Sequence, residues 1–144
     1  MADMGEVFPK FYAGAIIWNP DTRKILLQKR DRGAPLNPNM WSLFGGSGED
    51  GEEPSMALVR ELREELSVTI DPLSAKRLWD YPNPEFQKQR IIFLVTLRLR
   101  KEEMRLSEGE DMEWVSLEDA LELPLSPRTR QDLVRFLDEY RSAL

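Results

Sequence analysis

The 144-residue chain contains no cysteine and no histidine. Without cysteine there is no disulfide framework, no thiolate metal site and no cysteine nucleophile. Without histidine, a general base must be a carboxylate, a lysine, a tyrosine or a metal-bound hydroxide. Long apolar runs are missing as well. The longest, Ala15–Trp18 and Ile91–Val95, fall far short of the ~20 residues that cross a bilayer. The opening residues Met1-Ala2-Asp3-Met4-Gly5-Glu6 are acidic where a secretory signal is basic and then apolar, so no membrane association and a cytoplasmic location are expected. Positive charge is in deficit: 20 Lys and Arg stand against 26 Asp and Glu, a net charge of −6. A polyanion groove needs clustered cations, so nucleic acid is a poor partner for this chain.

What is present describes a compact enzyme-sized unit. Hydrophobic residues at 41% and charged residues at 32% exclude both a disordered tail and a membrane protein. No repeat or linker divides the chain, and residues 1–144 are expected to form one domain. Phe11 to Trp18 is β-rich and runs into the turn signature Asn19-Pro20-Asp21-Thr22, with Lys24 to Gln28 as the returning strand. Arg30 to Asn39 is a polar loop long enough to be functional. A second β block covers Arg77 to Tyr81 and Arg90 to Leu99, joined through Pro82-Asn83-Pro84, and Met112 to Val115 makes another strand. Ser116 is placed to cap a short helix. From Ser126 a last helix carries Leu133, Val134, Phe136, Leu137 and Tyr140 at helical spacing. Strands and helices interleave without regular alternation, which predicts an α/β fold with helices packed on a mixed sheet.

The informative stretch runs from Gly45 to Val68. Placed on a helix at ~100° per residue, Pro54 to Leu66 gathers Leu58, Val59, Leu62 and Leu66 on one side. Glu61 and Glu64 share a flank beside small Ala57, with Glu65 at its border. Like charges at three and four residues repel by a few tenths of a kcal/mol per pair. A solvated acidic face balanced by Arg60 and Arg63 accounts for most helices of this kind. Here, however, a glycine- and acid-rich loop feeds the helix, and such loops let backbone groups approach a phosphate. A carboxylate cluster without His or Cys suits a hard cation, Mg²⁺ or Mn²⁺.

Gly46, five residues, Glu52, seven residues, then Arg60-Glu61-Leu62-Arg63-Glu64-Glu65-Leu66-Ser67-Val68 resembles the signature of the Nudix hydrolase family, G-x5-E-x7-R-E-U-x-E-E-x-G-U with U aliphatic. Only the last glycine differs; it is Ser67. The lead-in Trp41-Ser42-Leu43-Phe44-Gly45-Gly46 is similar too, with Phe44 where proline is commoner, and the likeness reaches back to Phe11 and forward to Glu113-Trp114-Val115-Ser116-Leu117. The resemblance implies an α/β/α sandwich around a mixed sheet, with the box at 46–68. It implies metal-assisted hydrolysis of a nucleoside diphosphate linked to another group, a nucleotide sugar such as ADP-ribose or a modified nucleoside triphosphate. By position, Glu61, Glu64 and Glu65 become metal ligands, joined by the carbonyl of Gly45, and Glu52 and Arg60 form the supporting ion pair. Glu61 and Glu64 both stand as proton acceptors. A further ligand is expected late in the chain, at Glu108, with Glu110 as the alternative. Gly46 and Arg30 are expected to meet the substrate.

Several features point less sharply. Pro84, 16 residues past the box, resembles the ADP-ribose pyrophosphatase subgroup, although the turn Asp80-Tyr81-Pro82-Asn83-Pro84 accounts for it alone. Phe44-Gly45-Gly46 resembles purine nucleoside triphosphatases that sanitise oxidised nucleotides. Trp18, Trp79 and Tyr81 could stack a base, but aromatic residues in strands are more often packing. Arg23, Lys24, Lys29 and Arg32 read as solvated surface. Isopentenyl-diphosphate isomerase-like chemistry needs a cysteine and is disfavoured. The alternative from another class is a non-catalytic nucleotide-sensing module on the same scaffold; such modules lose box carboxylates, and none is missing here. Many relatives pair as homodimers, but no feature of this chain demands it.

Overall fold

In the computed structural model, residues 7–107 and 109–140 are described. Seven strands, β1 (Phe11–Asn19), β2 (Lys24–Lys29), β3 (Trp41–Ser42), β4 (Phe44–Ser47), β5 (Lys76–Asn83), β6 (Lys88–Thr96) and β7 (Asp111–Val115), form one mixed sheet. Three helices accompany them: α1 (Pro54–Leu66), α2 (Leu117–Ala120) and α3 (Pro127–Tyr140). The order β3-β2-β1-β6-β5 places β1 at the centre, parallel to β6 and antiparallel to β2. Ala13 to Ile17 of β1 are all buried, as a strand covered on both faces requires.

The central strand is shared between two partners. Its second half pairs with β2 through Ile17↔Leu26 and Trp18↔Ile25, making the expected hairpin, while its first half pairs with β4 through Tyr12↔Ser47, Ala13↔Gly46 and Gly14↔Gly45. β2 and β4 therefore lie on the same side of β1, and the sheet divides between them. Alternating side chains sort into two apolar layers. Ala15, Ile17, Leu26 and Phe93 pack with Leu58, Leu62 and Leu66 of α1. Ile16, Ile25, Leu27 and Ile92 pack with Leu117 of α2 and Leu133 and Phe136 of α3. This is the α/β/α sandwich.

Local chemistry sets the ends of α1. Glu53 accepts a hydrogen bond from the Ser55 N–H at 3.0 Å and Pro54 opens the first turn, where its missing N–H costs nothing. Ser67 ends the helix in the left-handed region (φ 57°), its N–H bonded to the Arg63 carbonyl at 3.0 Å. Ser116 caps α2 as anticipated, accepting from the Asp119 N–H at 3.1 Å.

Two boundaries and one buried face differ from the sequence reading. β5 continues through Pro82 to Asn83, and the turn to β6 falls at residues 84–87. Proline is tolerated there because β5 is an edge strand, where an N–H can point away from the sheet. β6 stops at Thr96, and Leu97 and Leu99 pack on the α1 layer from irregular chain. In α3, Val134 is half exposed, while Thr129 and Asp132 take buried positions. Replacing Ser67 with Gly removes a side chain from a left-handed residue, so Ser67→Gly should stabilise the protein by roughly 0.5–1 kcal/mol. Thermal denaturation checks it.

Candidate active site

The site is organised around one guanidinium. Arg60 sits near the middle of α1, one turn from Glu64 and beside Glu61. It donates through Nε to Glu52 Oε2 at 2.9 Å and through Nη2 to Glu52 Oε1 at 3.0 Å, a two-point pair of the strong kind. Its Nη1 reaches Glu61 Oε2 at 3.0 Å and Glu64 Oε1 at 3.1 Å, and Nη2 also donates to the Ser47 carbonyl at 3.1 Å. The arginine therefore ties the loop, the end of β4 and two helix carboxylates together. The arginine holds the Glu52 carboxyl below the usual carboxylate range, helped by the Glu49 N–H at 2.9 Å. The same contacts raise Arg60 further above its ordinary value, so it is charged throughout.

Two glycines bring β4 up to these carboxylates. Gly46 has its Cα against Glu61: a Cβ there would stand 2.3 Å from the carboxylate carbon. Gly45 adopts φ 151°, and a Cβ on it would meet the Ala13 carbonyl oxygen at 2.3 Å. The Gly45 N–H donates to Glu65 Oε1 at 3.1 Å, which fixes the third box carboxylate beside the same strand. Among the described residues, no three carboxylates converge as a ready-made cage; Arg60 stands between Glu61 and Glu64.

Gly45, Gly46, Glu61 and Glu65 open into a cavity of ≈ 1030 Å³. Its other walls are the loop after β2, including Arg30 and Leu36, the β5–β6 turn, and the start of α3. The long polar loop thus lines the cavity. Arg30 is held in place by a bond from its Nε to the Leu36 carbonyl at 2.7 Å.

The family model for the NUDIX domain matches residues 9–138. The chain belongs to the Nudix family. An ADP-ribose pyrophosphatase of Bacillus subtilis (strain 168) is 35% identical over 115 residues, covering 77% of this chain and 61% of that protein. This chain thus spans about three fifths of that relative's length. The nucleoside triphosphatase NudI of Enterobacter sp. (strain 638) is 30% identical over 125 residues, covering 80% of this chain and 87% of that one. Among solved structures, the MutT Nudix hydrolase of Burkholderia pseudomallei is 29% identical with a TM-score of 0.68, covering 87% of this chain and 95% of that one.

Gly45 and the Nudix box residues Gly46, Glu52, Arg60, Glu61, Glu64 and Glu65 are brought together by the contacts above. Glu108 lies outside the described residues. The Glu110 carboxylate pairs with Lys29 at 3.1 Å. Ser107 docks on the end of α1, its N–H bonded to the Glu65 carbonyl at 2.9 Å and its hydroxyl to the Glu64 carbonyl at 2.7 Å.

One polar network was not visible in the sequence. Asp132, 1% exposed on α3, accepts from Arg90 Nε at 2.9 Å and Nη2 at 2.8 Å, from the Tyr81 hydroxyl at 2.8 Å and from Trp79 Nε1 at 3.2 Å. The Arg90 guanidinium lies 4.7 Å from the centre of the Tyr12 ring, and both residues line the cavity. Trp79 is therefore committed to the interior and the half-buried Tyr81 is tied to it through Asp132. Burial pushes the Tyr12 phenol up to about 12, so it is neutral at pH 7 and unsuited to act as a base. No local signal could have paired residues 90 and 132; an aspartate inside an apolar helix face was the only hint.

The lowered Glu52 carboxyl has a stability consequence. A group whose folded value is depressed stabilises above its unfolded value and loses that contribution as pH falls through the folded one. Glu52→Gln should therefore lower the melting temperature at pH 7, with the gap narrowing from about pH 4.5 downwards. Melting curves of both proteins across pH 3–7 check this.

Proposed function

We propose that this Nudix hydrolase cleaves a pyrophosphate bond in a nucleoside diphosphate linked to a further group, assisted by Mg²⁺ or Mn²⁺. The linked group belongs to a nucleotide sugar such as ADP-ribose or to a modified nucleoside triphosphate. The observation that supports this most is the set Glu61, Glu65 and Gly45 placed at the wall of a nucleotide-sized cavity, with Arg60 and Glu52 locking the loop beside them. The names of the Bacillus and Enterobacter relatives point to the same bond class.

The donor chemistry fits a hard divalent cation: only oxygen ligands are available, and they sit beside a bare glycine backbone. Glu61, Glu64, Glu65 and the Gly45 carbonyl would hold it; the outer ligand assigned by resemblance is Glu108. When bound there, such a cation would supply charge neutralisation of the phosphates and a lowered pKa for a water. The remaining work falls to the chain. Glu61 or Glu64 takes the proton from the water, since no histidine exists and Tyr12 is a neutral phenol. Arg60 and Glu52 keep the glycine strand and α1 in fixed relation, which in-line attack at phosphorus requires. Gly46 gives the Glu61 carboxylate the space that a Cβ would fill, and Gly46 and Arg30 both line the cavity that the substrate would enter.

Glu64 is 54% exposed on its side chain, so its loss should leave the fold intact. Glu64→Gln is expected to reduce turnover roughly a hundredfold or more while melting within about 0.5 kcal/mol of the parent. The test is release of phosphate or nucleoside monophosphate from ADP-ribose, nucleotide sugars, dinucleoside polyphosphates and canonical and oxidised nucleoside triphosphates, with and without Mg²⁺. A folded, fully active Glu64→Gln protein would remove the metal assignment.

A further inference from the structure

Helix α1 carries Glu64 and Glu65 in its last turn, where the negative pole of the helix dipole disfavours carboxylates. Helix ends also fray, because their last four carbonyls have no partner within the helix. Two of the three box glutamates therefore stand where a helix holds them least well. Buried Leu66 secures the apolar side of this turn. Its polar side is secured from another part of the chain.

All four terminal carbonyls of α1 are bonded. The Arg63 carbonyl accepts from the Ser67 N–H at 3.0 Å. The other three are closed by the segment that leads into β7. Glu64 accepts from the Ser107 hydroxyl at 2.7 Å, Glu65 from the Ser107 N–H at 2.9 Å, and Leu66 from the Arg105 N–H at 3.0 Å. Three of these four bonds use backbone donors, which any residue but proline supplies. Only the bond to Glu64, the shortest of the set, needs a particular side chain.

That bond acts where the site has least other support. Among the described residues the Glu64 carboxylate meets Arg60 Nη1 alone, so its direction depends on the path of its own backbone. Glu65 follows directly and reaches the Gly45 N–H from the same turn. A change in the backbone at Glu64 therefore moves both carboxylates relative to the glycine strand. Ser107 also lines the cavity, as Glu61 and Glu65 do. We infer that Ser107 is a positioning residue: its hydroxyl, by holding the Glu64 carbonyl, fixes the last turn of α1 so that Glu64 and Glu65 stay placed for a divalent cation. The inference rests on the hydrolase reading above, in which these glutamates hold that cation.

The test compares the parent with Ser107→Ala, Ser107→Thr and Ser74→Ala. Ser74→Ala removes the same kind of bond, from the Ser74 hydroxyl to the Asp71 carbonyl at 2.6 Å, in a turn outside the cavity lining. Mn²⁺ affinity is measured by titration with electron paramagnetic resonance, alongside steady-state kinetics on the nucleotide panel and melting curves. Ser107→Ala should weaken Mn²⁺ binding about three- to tenfold, the worth of one hydrogen bond. It should lower kcat by a similar factor, change KM for the nucleotide less, and melt within a few degrees of the parent. Ser107→Thr, which restores the hydroxyl, should recover most of both losses, and Ser74→Ala should change neither. If Ser107→Ala does not fold, Ser107→Cys, with only a weak S–H donor, is measured in its place against the same expectations. Parental Mn²⁺ affinity in the folded variant, no recovery in Ser107→Thr, or an equal loss in Ser74→Ala overturns the inference and leaves the hydrolase reading standing. Mn²⁺ binding that falls in Ser107→Ala and returns in Ser107→Thr, with no turnover of any nucleotide by the parent, supports the inference and overturns the hydrolase reading. A parent that binds no Mn²⁺ overturns the metal assignment and the inference with it.

Discussion

The guanidinium of Arg60 is the constraint on which the rest of this site depends. Three glutamates at positions 61, 64 and 65 of one helix repel one another, and two of them, Glu61 and Glu65, lie against the glycine strand rather than in open solvent. Arg60 offsets that repulsion by meeting Glu61 and Glu64 from one nitrogen and Glu52 from two others. Its side chain is only 18% exposed, so solvent screens these contacts less than those of a surface ion pair. The bond to the Ser47 carbonyl extends the same cation to the end of β4. A lysine could not substitute, because one point charge cannot present donors in four directions within a plane.

Given that anchor, the shape of β4 follows. The strand must pass close enough to α1 for Glu65 to reach the Gly45 N–H and for Glu61 to lie on Gly46, and any side chain at either glycine would occupy space already filled. Phe44, immediately before them, is fully buried under α1 and fixes the strand from the apolar side. The strand is thus pinned by packing at one end and by charge at the other. That combination gives rigid placement of a glycine backbone which alone would be too mobile for a reaction that depends on positioning.

How far the sequence revealed this depends on the range of each interaction. The box was legible because its contacts are local: Glu52 to Arg60 spans eight residues, Arg60 to Glu64 spans four, and the helix carries its own stop at Ser67. The hairpin of β1 and β2 and the cap at Ser116 were legible for the same reason. The division of β1 between β2 and β4 was not, since Ala13 and Ile17 look alike to a periodicity argument while their partners come from different parts of the chain. Pro82 misled because proline usually ends a strand, and only the edge position of β5 makes it acceptable. Asp132 and Arg90 lie 42 residues apart, each unremarkable in its own segment, and become a buried pair only when α3 folds onto β6.

That buried pair also shows why a site on one face of the sheet needs the other face. Breaking a buried ion pair typically costs about 3–5 kcal/mol, so Asp132 and Arg90 hold each other firmly. Arg90 in turn covers the Tyr12 ring, and the Tyr12 hydroxyl lies 2.9 Å from where a Gly45 Cβ would be. Gly45 is consequently held by Glu65 through its N–H and crowded by Tyr12 from the α3 side of the sheet. Helix α3 contributes no box residue, yet through Asp132, Arg90 and Tyr12 it limits how the glycine strand can move. The gap between β2 and β4 then acquires a consequence: one cavity is lined both by Glu61 and Glu65 of α1 and by Arg128 and Thr129 of α3.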